Sequence, residues 1–158
     1  MKLLAGNPGW TVRADVVVIG SGVAGLTTAL NLRSSNLSVL LVTKAKIDEG
    51  STKWAQGGIA AALGPGDTPD AHKKDTLVAG AGLCDSQAVD VLVTEGPEAV
   101  RKLIARGAVF DKSESGEIAL TREGGHLRNR ILHAGGDATG AEVSRALLSA
   151  VNDDDGIE

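Results

Sequence analysis

The stretch ADVVVIGSGVAGL, residues 14–26, decides the fold of this 158-residue chain. Residues 16–19 are consecutive apolar, β-branched residues, a pattern typical of a strand buried on both faces of a parallel sheet. The glycine-rich turn that follows opens an amphipathic helix, predicted over residues 23–34. LSVLLVT, residues 37–43, is predicted as a second buried strand, so about 30 residues form a βαβ unit. The sequence therefore predicts an α/β fold built on a parallel sheet.

The turn itself has the G-x-G-x-x-G pattern of a dinucleotide cradle, made of Gly20, Ser21, Gly22, Val23, Ala24 and Gly25. Gly20 permits the tight turn, Gly22 lets the backbone approach a pyrophosphate, and Gly25 lets helix and strand pack closely. The positive end of the helix dipole then faces the phosphates. The alternative is a glycine-rich turn that binds nothing. Its place directly after a buried strand and at the start of a helix favours the cradle.

The second strand lacks the acidic residue that usually follows it and binds the ribose hydroxyls. This strand ends Val42-Thr43-Lys44 instead. Lys44 is predicted to lie near a phosphate or to donate to ribose oxygens, and a 2′-phosphate on the adenosine is a further alternative. The sequence therefore departs from the plain NAD-binding pattern.

The composition narrows the class of protein. The formal net charge is −4, so no nucleic-acid partner is expected. The single cysteine, Cys84, cannot form an internal disulfide and fits a reducing compartment. No apolar run approaches the roughly 20 residues of a membrane span, and the opening MKLLAGNPGW lacks the apolar core of a signal peptide. We therefore expect a cytoplasmic protein with no membrane partner and no metal site.

Further elements are predicted from capping residues. Ser51 and Thr52 are expected to cap a short helix that a pair of glycines ends. Residues 59–63 form a strand or a short link. Thr68 before Pro69 marks the start of a helix that runs toward Gly80.

The second half of the chain is predicted to hold three helices. Ser86 caps a helix over residues 87–95, although valine at every second position from 89 to 93 also alternates as in a strand. Pro97 starts a separate helix that ends at Gly107. Residues 108–120 predict a strand, a polar turn and a second short strand. Thr139 and Glu142 have capping-box spacing, and the helix they open runs to about residue 151.

One acid stands in a basic stretch, LTREGGHLRNR, residues 120–130. Glu123 is surrounded there by three arginines and a histidine. Three interpretations are open: an ordinary surface acid, a partner that neutralises its neighbours, or a group directed at a bound molecule.

A series of motifs resembles the L-aspartate oxidase family of the succinate dehydrogenase/fumarate reductase flavoprotein superfamily. They are GSGVAGL, VTK, GST-KW-AQGGIAAALG, DTLVAGAGLCD, GPEAVRKLIARGAVFD, LTREGGHLRNRILHA and DATGAEV. The resemblance implies a Rossmann-like FAD-binding domain, with residues 1–13 as an N-terminal extension and residues 14–158 as its N-terminal part. The sheet would be incomplete, and the chain would also hold the start of the substrate side.

The resemblance also implies an activity. Members oxidise L-aspartate to iminoaspartate with non-covalent FAD, which oxygen or fumarate reoxidises. This is the first step of de novo NAD biosynthesis, and a quinolinate-forming enzyme follows it. In this family an arginine and further histidines lie beyond the position matching Glu158, so the 158 residues alone are expected to show little turnover and weak FAD retention. Two alternatives stay open: a soluble fumarate reductase-like flavoprotein and a non-enzymatic nucleotide-binding module.

The matching motifs imply roles for particular residues. The residues from Ser21 to Ala24 would contact the pyrophosphate, and Lys44 would lie near the adenosine ribose. A second segment would wrap the pyrophosphate and the flavin ring: Ser51, Thr52, Lys53, Trp54, Ala55, Gln56, Gly57 and Gly58. Members with covalent flavin have a histidine where this chain has Ser51, which implies a non-covalent cofactor.

The resemblance gives Glu123 a role as well. Dicarboxylate-only members have an apolar residue there, and aspartate differs from succinate by one ammonium group. A carboxylate is the natural partner of an ammonium, so Glu123 would orient the substrate. His126, Arg128 and Arg130 are expected either to bind carboxylates or flavin, or to compensate nearby acids; compensation is favoured for the arginines. His72, Asp75 and His133 are expected to be structural.

Overall fold

The computed structural model describes residues 6–158, so residues 1–5 of the predicted N-terminal extension lie outside the described part. The predicted βαβ unit is confirmed, but its first strand is not buried on both faces as predicted, since Val17 and Ile19 are 54% and 85% exposed. Strand β1, Val16–Ile19, pairs in parallel with β2, Val39–Val42, with Val16 opposite Val39, and helix α1, Val23–Arg33, connects them. On the other side of β2, Ile157 bridges Val39 in parallel, and the Glu158 N–H donates to the Val39 carbonyl at 2.9 Å. The segment at residues 157–158 therefore pairs with β2 in parallel, on the side away from β1.

A second sheet lies after this unit and is antiparallel. Its strands are β3, Ile59–Ala60, β4, Leu120–Thr121, and β5, Ile131–Leu132, and β5 lies in the middle. Leu132 is opposite Ile59 on one side and Leu120 on the other. It is fully buried in the main core with Phe110, Val100 and Ala146. This sheet carries both ends of the 120–130 stretch.

Helix α2, Pro69–Ala79, begins as predicted, because Thr68 Oγ1 accepts the Ala71 N–H at 3.1 Å. The prediction of two separate helices after it is wrong. A single helix, α3, Ser86–Ala105, runs through Pro97, which is buried on its inner face. Its N-cap is Asp85 rather than Ser86, since the Asp85 carboxylate accepts two backbone N–H groups of the first turn. Burial of this face outweighs the hydrogen bond that Pro97 removes.

The valines of α3 also decide between helix and strand. Val89 and Val93 are buried, whereas Val91 is 55% exposed. Burial therefore recurs every four residues, as in a helix, and the strand alternative is wrong.

Helix α4, Thr139–Asn152, lies where it is predicted, but the prediction that Thr139 and Glu142 form a capping box is wrong. Thr139 Oγ1 accepts the Ala134 N–H at 3.2 Å, and Glu142 accepts the Val109 N–H at 2.7 Å. Both side chains therefore join α4 to neighbouring segments. The buried face of the helix, Val143, Leu147 and Val151, packs on Leu26 of α1.

Candidate functional site

The predicted cradle forms at the carboxyl end of β1. Gly20 has φ of +108°, a conformation that L side chains rarely adopt, and its N–H donates to the Val42 carbonyl at 2.8 Å. A Cβ on Gly25 would overlap the Gly20 carbonyl oxygen, so α1 packs directly on the turn. The N-cap of α1 is Gly22, which offers no side chain to the first turn. The backbone and the helix dipole are therefore left to face an anion.

An open groove of about 280 Å³ lies beside this turn. It is lined by Gly20, Ser21, Gly22 and Lys44 among the predicted cofactor residues, together with Ile19, Val42, Thr43, Ala45, Glu49 and Gly50. Ser21 Oγ and Thr43 Oγ1 are 3.2 Å apart across the groove. The sequence does not indicate Glu49, because the dinucleotide-binding pattern predicts a ribose-binding acid only at the end of the second strand. The groove thus contains both a cation and an acid near the position expected for a ribose.

The second glycine-rich segment begins with a short 3-10 helix, Ser51–Trp54, which has Gly50 as its N-cap. Ser51 and Thr52 are therefore not its caps, contrary to the prediction. Thr52 Oγ1 instead accepts the Val23 N–H at 3.0 Å, across to the first turn of α1. On the other side, the Gly140 N–H donates to the Ala55 carbonyl at 2.9 Å. The segment is held between the first turns of α1 and α4.

The rest of this segment differs from residue to residue. Lys53 Nζ lies 5.3 Å from the ring centroid of Trp54, and Trp54 is 74% exposed. Gln56 and Gly57 are exposed. A Cβ on Gly58 would lie 2.9 Å from Cε1 of His133. The end of the predicted flavin wrap therefore runs beside the imidazole that contacts Glu123.

Glu123 begins a tight turn. The His126 N–H donates to the Glu123 carbonyl at 3.2 Å, and Gly125 has φ of +85°. The Glu123 side chain is 53% exposed, and its Oε1 lies 3.4 Å from Nε2 of His133. His133 Nε2 is also 3.0 Å from Thr121 Oγ1. The basic side chain beside Glu123 is therefore a histidine, and none of the neighbouring arginines takes this place in the described ion pairs.

Arg130 compensates acids, as predicted, but these are Asp67 and Asp75 rather than Glu123. It is fully buried, and its Nε and Nη2 donate to the two carboxylate oxygens of Asp67 at 2.8 Å each. Its Nη1 donates to Asp75 Oδ2 at 3.0 Å. We call Arg130, Asp67 and Asp75 the Arg130 cluster. No short-range pattern indicates a role for Asp67, because it lies in a polar turn 63 residues before its partner.

Two further groups surround this cluster. The Leu127 N–H donates to Asp75 Oδ2 at 2.9 Å, and together with Arg130 it keeps the pKa of Asp75 below its ordinary value although burial opposes this. His72 is buried, and its Nδ1 has no hydrogen-bond partner within the described residues. Burial, with help from the Arg130 charge, lowers the pKa of His72. Both residues are structural, as expected from the sequence.

A parallel βαβ unit with a G-x-G-x-x-G turn, and a second glycine-rich segment held against that turn, defines a Rossmann-type dinucleotide-binding domain. Residues 15–158 match the family described as "FAD binding domain", and the chain belongs to this family. FAD is accordingly its cofactor. The N-cap of α1 is a glycine, and its own backbone can approach a pyrophosphate closely, as this cofactor requires.

Relatives and solved structures agree with this class. The chain is 68% identical over 151 residues to a Streptomyces coelicolor protein named L-aspartate oxidase, covering 96% of this chain and 26% of that protein. It is 55% identical to the chloroplastic L-aspartate oxidase of Oryza sativa subsp. japonica, with 90% and 22% covered. The chain thus spans about a quarter of the length of these relatives.

Among solved structures, Mycobacterium smegmatis Sdh1 in complex with UQ1 has a TM-score of 0.81 at 36% identity, over 87% of this chain and 23% of that one. The FrdA E245Q mutant of E. coli quinol fumarate reductase has a TM-score of 0.83 at 28% identity, over 92% and 25%. Within residues 6–158, no helix has the length and apolar character needed to cross a membrane.

Proposed function

We propose that this chain is the N-terminal part of a flavoenzyme that oxidises L-aspartate to iminoaspartate. The observation that carries the proposal is Glu123, a half-exposed carboxylate in a chain 68% identical to a protein named L-aspartate oxidase. The reaction removes two protons and two electrons in total from the amine-bearing carbon and its nitrogen. When bound, FAD supplies the acceptor for the electrons.

The resemblance to the L-aspartate oxidase family also suggests the electron acceptor and the enzyme that acts next. Oxygen or fumarate would reoxidise the cofactor, and iminoaspartate would pass to a quinolinate-forming enzyme in the first steps of NAD biosynthesis. We propose a cytoplasmic location for this chain, and the single cysteine agrees with a reducing compartment.

Residues of this chain would hold FAD without a covalent bond. The turn from Gly20 to Gly25 would take the pyrophosphate, and Lys44 would lie at the adenosine ribose. The segment from Ser51 to Gly58 would cover the pyrophosphate and approach the flavin ring. Support comes from the groove at the first turn of α1 and from the contact between Thr52 and Val23, which holds that segment at the cradle.

Glu123 would bind the ammonium group of aspartate. A carboxylate in a partly desolvated site forms a charge-assisted hydrogen bond with an ammonium, and it rejects analogues that lack the matching charge. Glu123 would therefore select aspartate over succinate. His126, in the same turn, would contact the substrate as well.

Cofactor binding is tested in the complete flavoenzyme with the variant Gly22→Ala. A Cβ on Gly22 meets only Thr52 Oγ1 at 3.5 Å, an ordinary contact, so the fold should tolerate it. The methyl group would lie where the pyrophosphate must approach, and we expect FAD affinity to fall at least about tenfold. Gly96→Ala, in α3, is the matched control, because nothing lies within 4 Å of its Cβ. Equal affinities of the two variants would contradict the cradle.

The substrate is tested in the complete flavoenzyme with Glu123→Gln. The variant keeps the size of the side chain and removes its charge, so aspartate oxidation should fall steeply while fumarate reduction survives. Equal losses of the two activities would count against the ammonium role.

The structural similarity to quinol fumarate reductase makes a fumarate reductase-like enzyme the second candidate. Under that candidate the wild-type enzyme would reduce fumarate and leave aspartate unoxidised. A preference of the chain for ADP over FAD would instead favour a nucleotide-binding module without redox chemistry.

A further inference from the structure

The Arg130 cluster fixes both ends of the loop that holds Glu123 and His126. At one end, the Arg130 N–H donates to the Thr121 carbonyl at 3.0 Å. At the other, Asp75 Oδ2 accepts the Leu127 N–H at 2.9 Å as well as the Arg130 guanidinium. A buried ion cluster is weak evidence for stability, because its desolvation cost offsets much of the attraction between its charges. The contacts of this cluster indicate a role in holding the loop.

Arg130 also reaches the ring of His126. Its Nη1 lies 3.4 Å from Nδ1 of His126. An arginine side chain has donors only, so the imidazole nitrogen that faces it must be the one without a proton. The proton of the neutral ring is then on Nε2, and Nε2 is a hydrogen-bond donor.

The surroundings of His126 keep the ring in this place. The ring of His72 lies against it at a centroid distance of 5.4 Å and an interplanar angle of 56°. On another side the ring borders a cavity of about 300 Å³, lined also by Gly124, Gly125 and Cys84. The ring is thus held between a buried cation, a buried imidazole and an open space.

We propose that Arg130 is a positioning residue that holds His126 as its Nε2–H tautomer, so that His126 donates a hydrogen bond to a carboxylate of the ligand. The identity of that ligand rests on the proposed function. Glu123 and His126 close the same four-residue turn, and they offer a carboxylate and an N–H donor. These groups complement the ammonium and the carboxylate of an α-amino acid. His126 is then a binding group and does not accept the substrate proton through Nδ1.

The tautomer can be read directly in the ¹⁵N-labelled 158-residue chain. Long-range ¹H–¹⁵N correlation spectra distinguish the two neutral tautomers, and the chain has only three histidines to assign. We expect His126 as the Nε2–H form in the wild type. In Arg130→Gln, whose amide offers both a donor and an acceptor, the backbone amide spectrum should persist while His126 becomes a mixture of tautomers. Arg128→Gln is the matched control, since Arg128 is exposed in the same loop, and it should leave His126 unchanged.

Two results would overturn the proposal: His126 as the Nδ1–H form in the wild type, or an unchanged Nε2–H form in a folded Arg130→Gln variant. If that variant does not fold, the wild type still decides. The Arg130 guanidinium protons should then give through-space contacts with the His126 ring, and the absence of these contacts refutes the arrangement. None of these readouts needs turnover, so they stand or fall apart from the proposed function.

The donor role is tested in the complete flavoenzyme. His126→Leu should raise KM for aspartate at least about tenfold with a smaller change in kcat, and His126→Gln, which keeps an N–H donor, should restore most of the loss. A collapse of kcat in both variants would identify His126 as a proton acceptor and refute the donor role. If the wild-type enzyme does not oxidise aspartate, the proposed function fails and the tautomer result is unaffected.

Discussion

Replacing Gly140 by alanine should destabilise the fold, although alanine is the better helix former. Gly140 is the second residue of α4. A Cβ there would lie 2.8 Å from both the Cβ and the carbonyl oxygen of Ala55, and it would overlap the Thr52 carbonyl oxygen. Two of these three atoms belong to the backbone and cannot move away by changing rotamer. The 3-10 helix and α4 must therefore separate.

The magnitude follows from two opposing effects. Overpacking costs about 1–3 kcal/mol, and rigid backbone neighbours place this site near the upper end. The helix preference of alanine over glycine returns about 1 kcal/mol. The net expectation for Gly140→Ala is a loss of about 2 kcal/mol. Gly96→Ala makes the same chemical change inside α3, where no atom beyond the chain neighbours lies within 4 Å of the added Cβ. Its stability should change little, because the contact of that Cβ with the following Pro97 offsets the helix preference of alanine.

Urea unfolding followed by far-UV circular dichroism measures both variants. With an m-value of about 2 kcal/mol/M, the Gly140→Ala midpoint should fall by about 1 M, and the Gly96→Ala midpoint should change little. FAD affinity should also fall in Gly140→Ala, because Thr52 must move with the displaced segment. If Gly140→Ala unfolds at or above the wild-type urea concentration, the close approach of α4 and the 3-10 helix is refuted.

Three further changes test single contacts. Thr52→Val removes the acceptor of the Val23 N–H and should cost about 1 kcal/mol in urea unfolding, with Thr52→Ser restoring it; equal stability of all three proteins would contradict that bond. Asp85→Ala should cost about 1 kcal/mol as a lost N-cap of α3, whereas Ser86→Ala should change little; the reverse order would restore Ser86 as the cap. His72 has a folded-state pKa below its ordinary value of 6.5, so the unfolded chain takes up its proton first as pH falls. Wild-type stability should then decline below about pH 6.5 and more steeply than that of His72→Phe; parallel pH profiles would contradict this.

Local features of the fold were predictable from the sequence. The residues of β1 and the cradle glycines are contiguous, so strand, turn and helix follow from neighbouring residues. Thr68 caps α2 through an N–H three residues away. The prediction that a new helix starts at Pro97 is wrong, because burial of the α3 face stabilises the continuous helix by more than the loss of one backbone donor costs. No pattern within a short window reports that burial.

The candidate site was predictable in its residues and less so in its partners. Arg130 finds its carboxylates 63 and 55 residues earlier, and Glu142 takes an N–H 33 residues earlier. Charges close in sequence therefore misled: the arginines around Glu123 looked like its partners, while the fold directs Arg130 inward to Asp67 and Asp75. One signal for the burial of Arg130 was present in the sequence. Arg130 directly precedes Ile131 and Leu132, the two apolar residues of β5, which are buried.

The partner of Glu123 bears on whether an ammonium group can bind there. A buried arginine would stay charged at all working pH values and would hold the carboxylate permanently. His133 carries a charge only when it is protonated, and it already contacts Thr121 Oγ1 at 3.0 Å. Its hold on Glu123 is therefore conditional, and the 3.4 Å separation is long for a charge-assisted bond. Because the Arg130 guanidinium pairs with Asp67 and Asp75, no arginine holds Glu123 in the described ion pairs, which is what the proposed ammonium site requires.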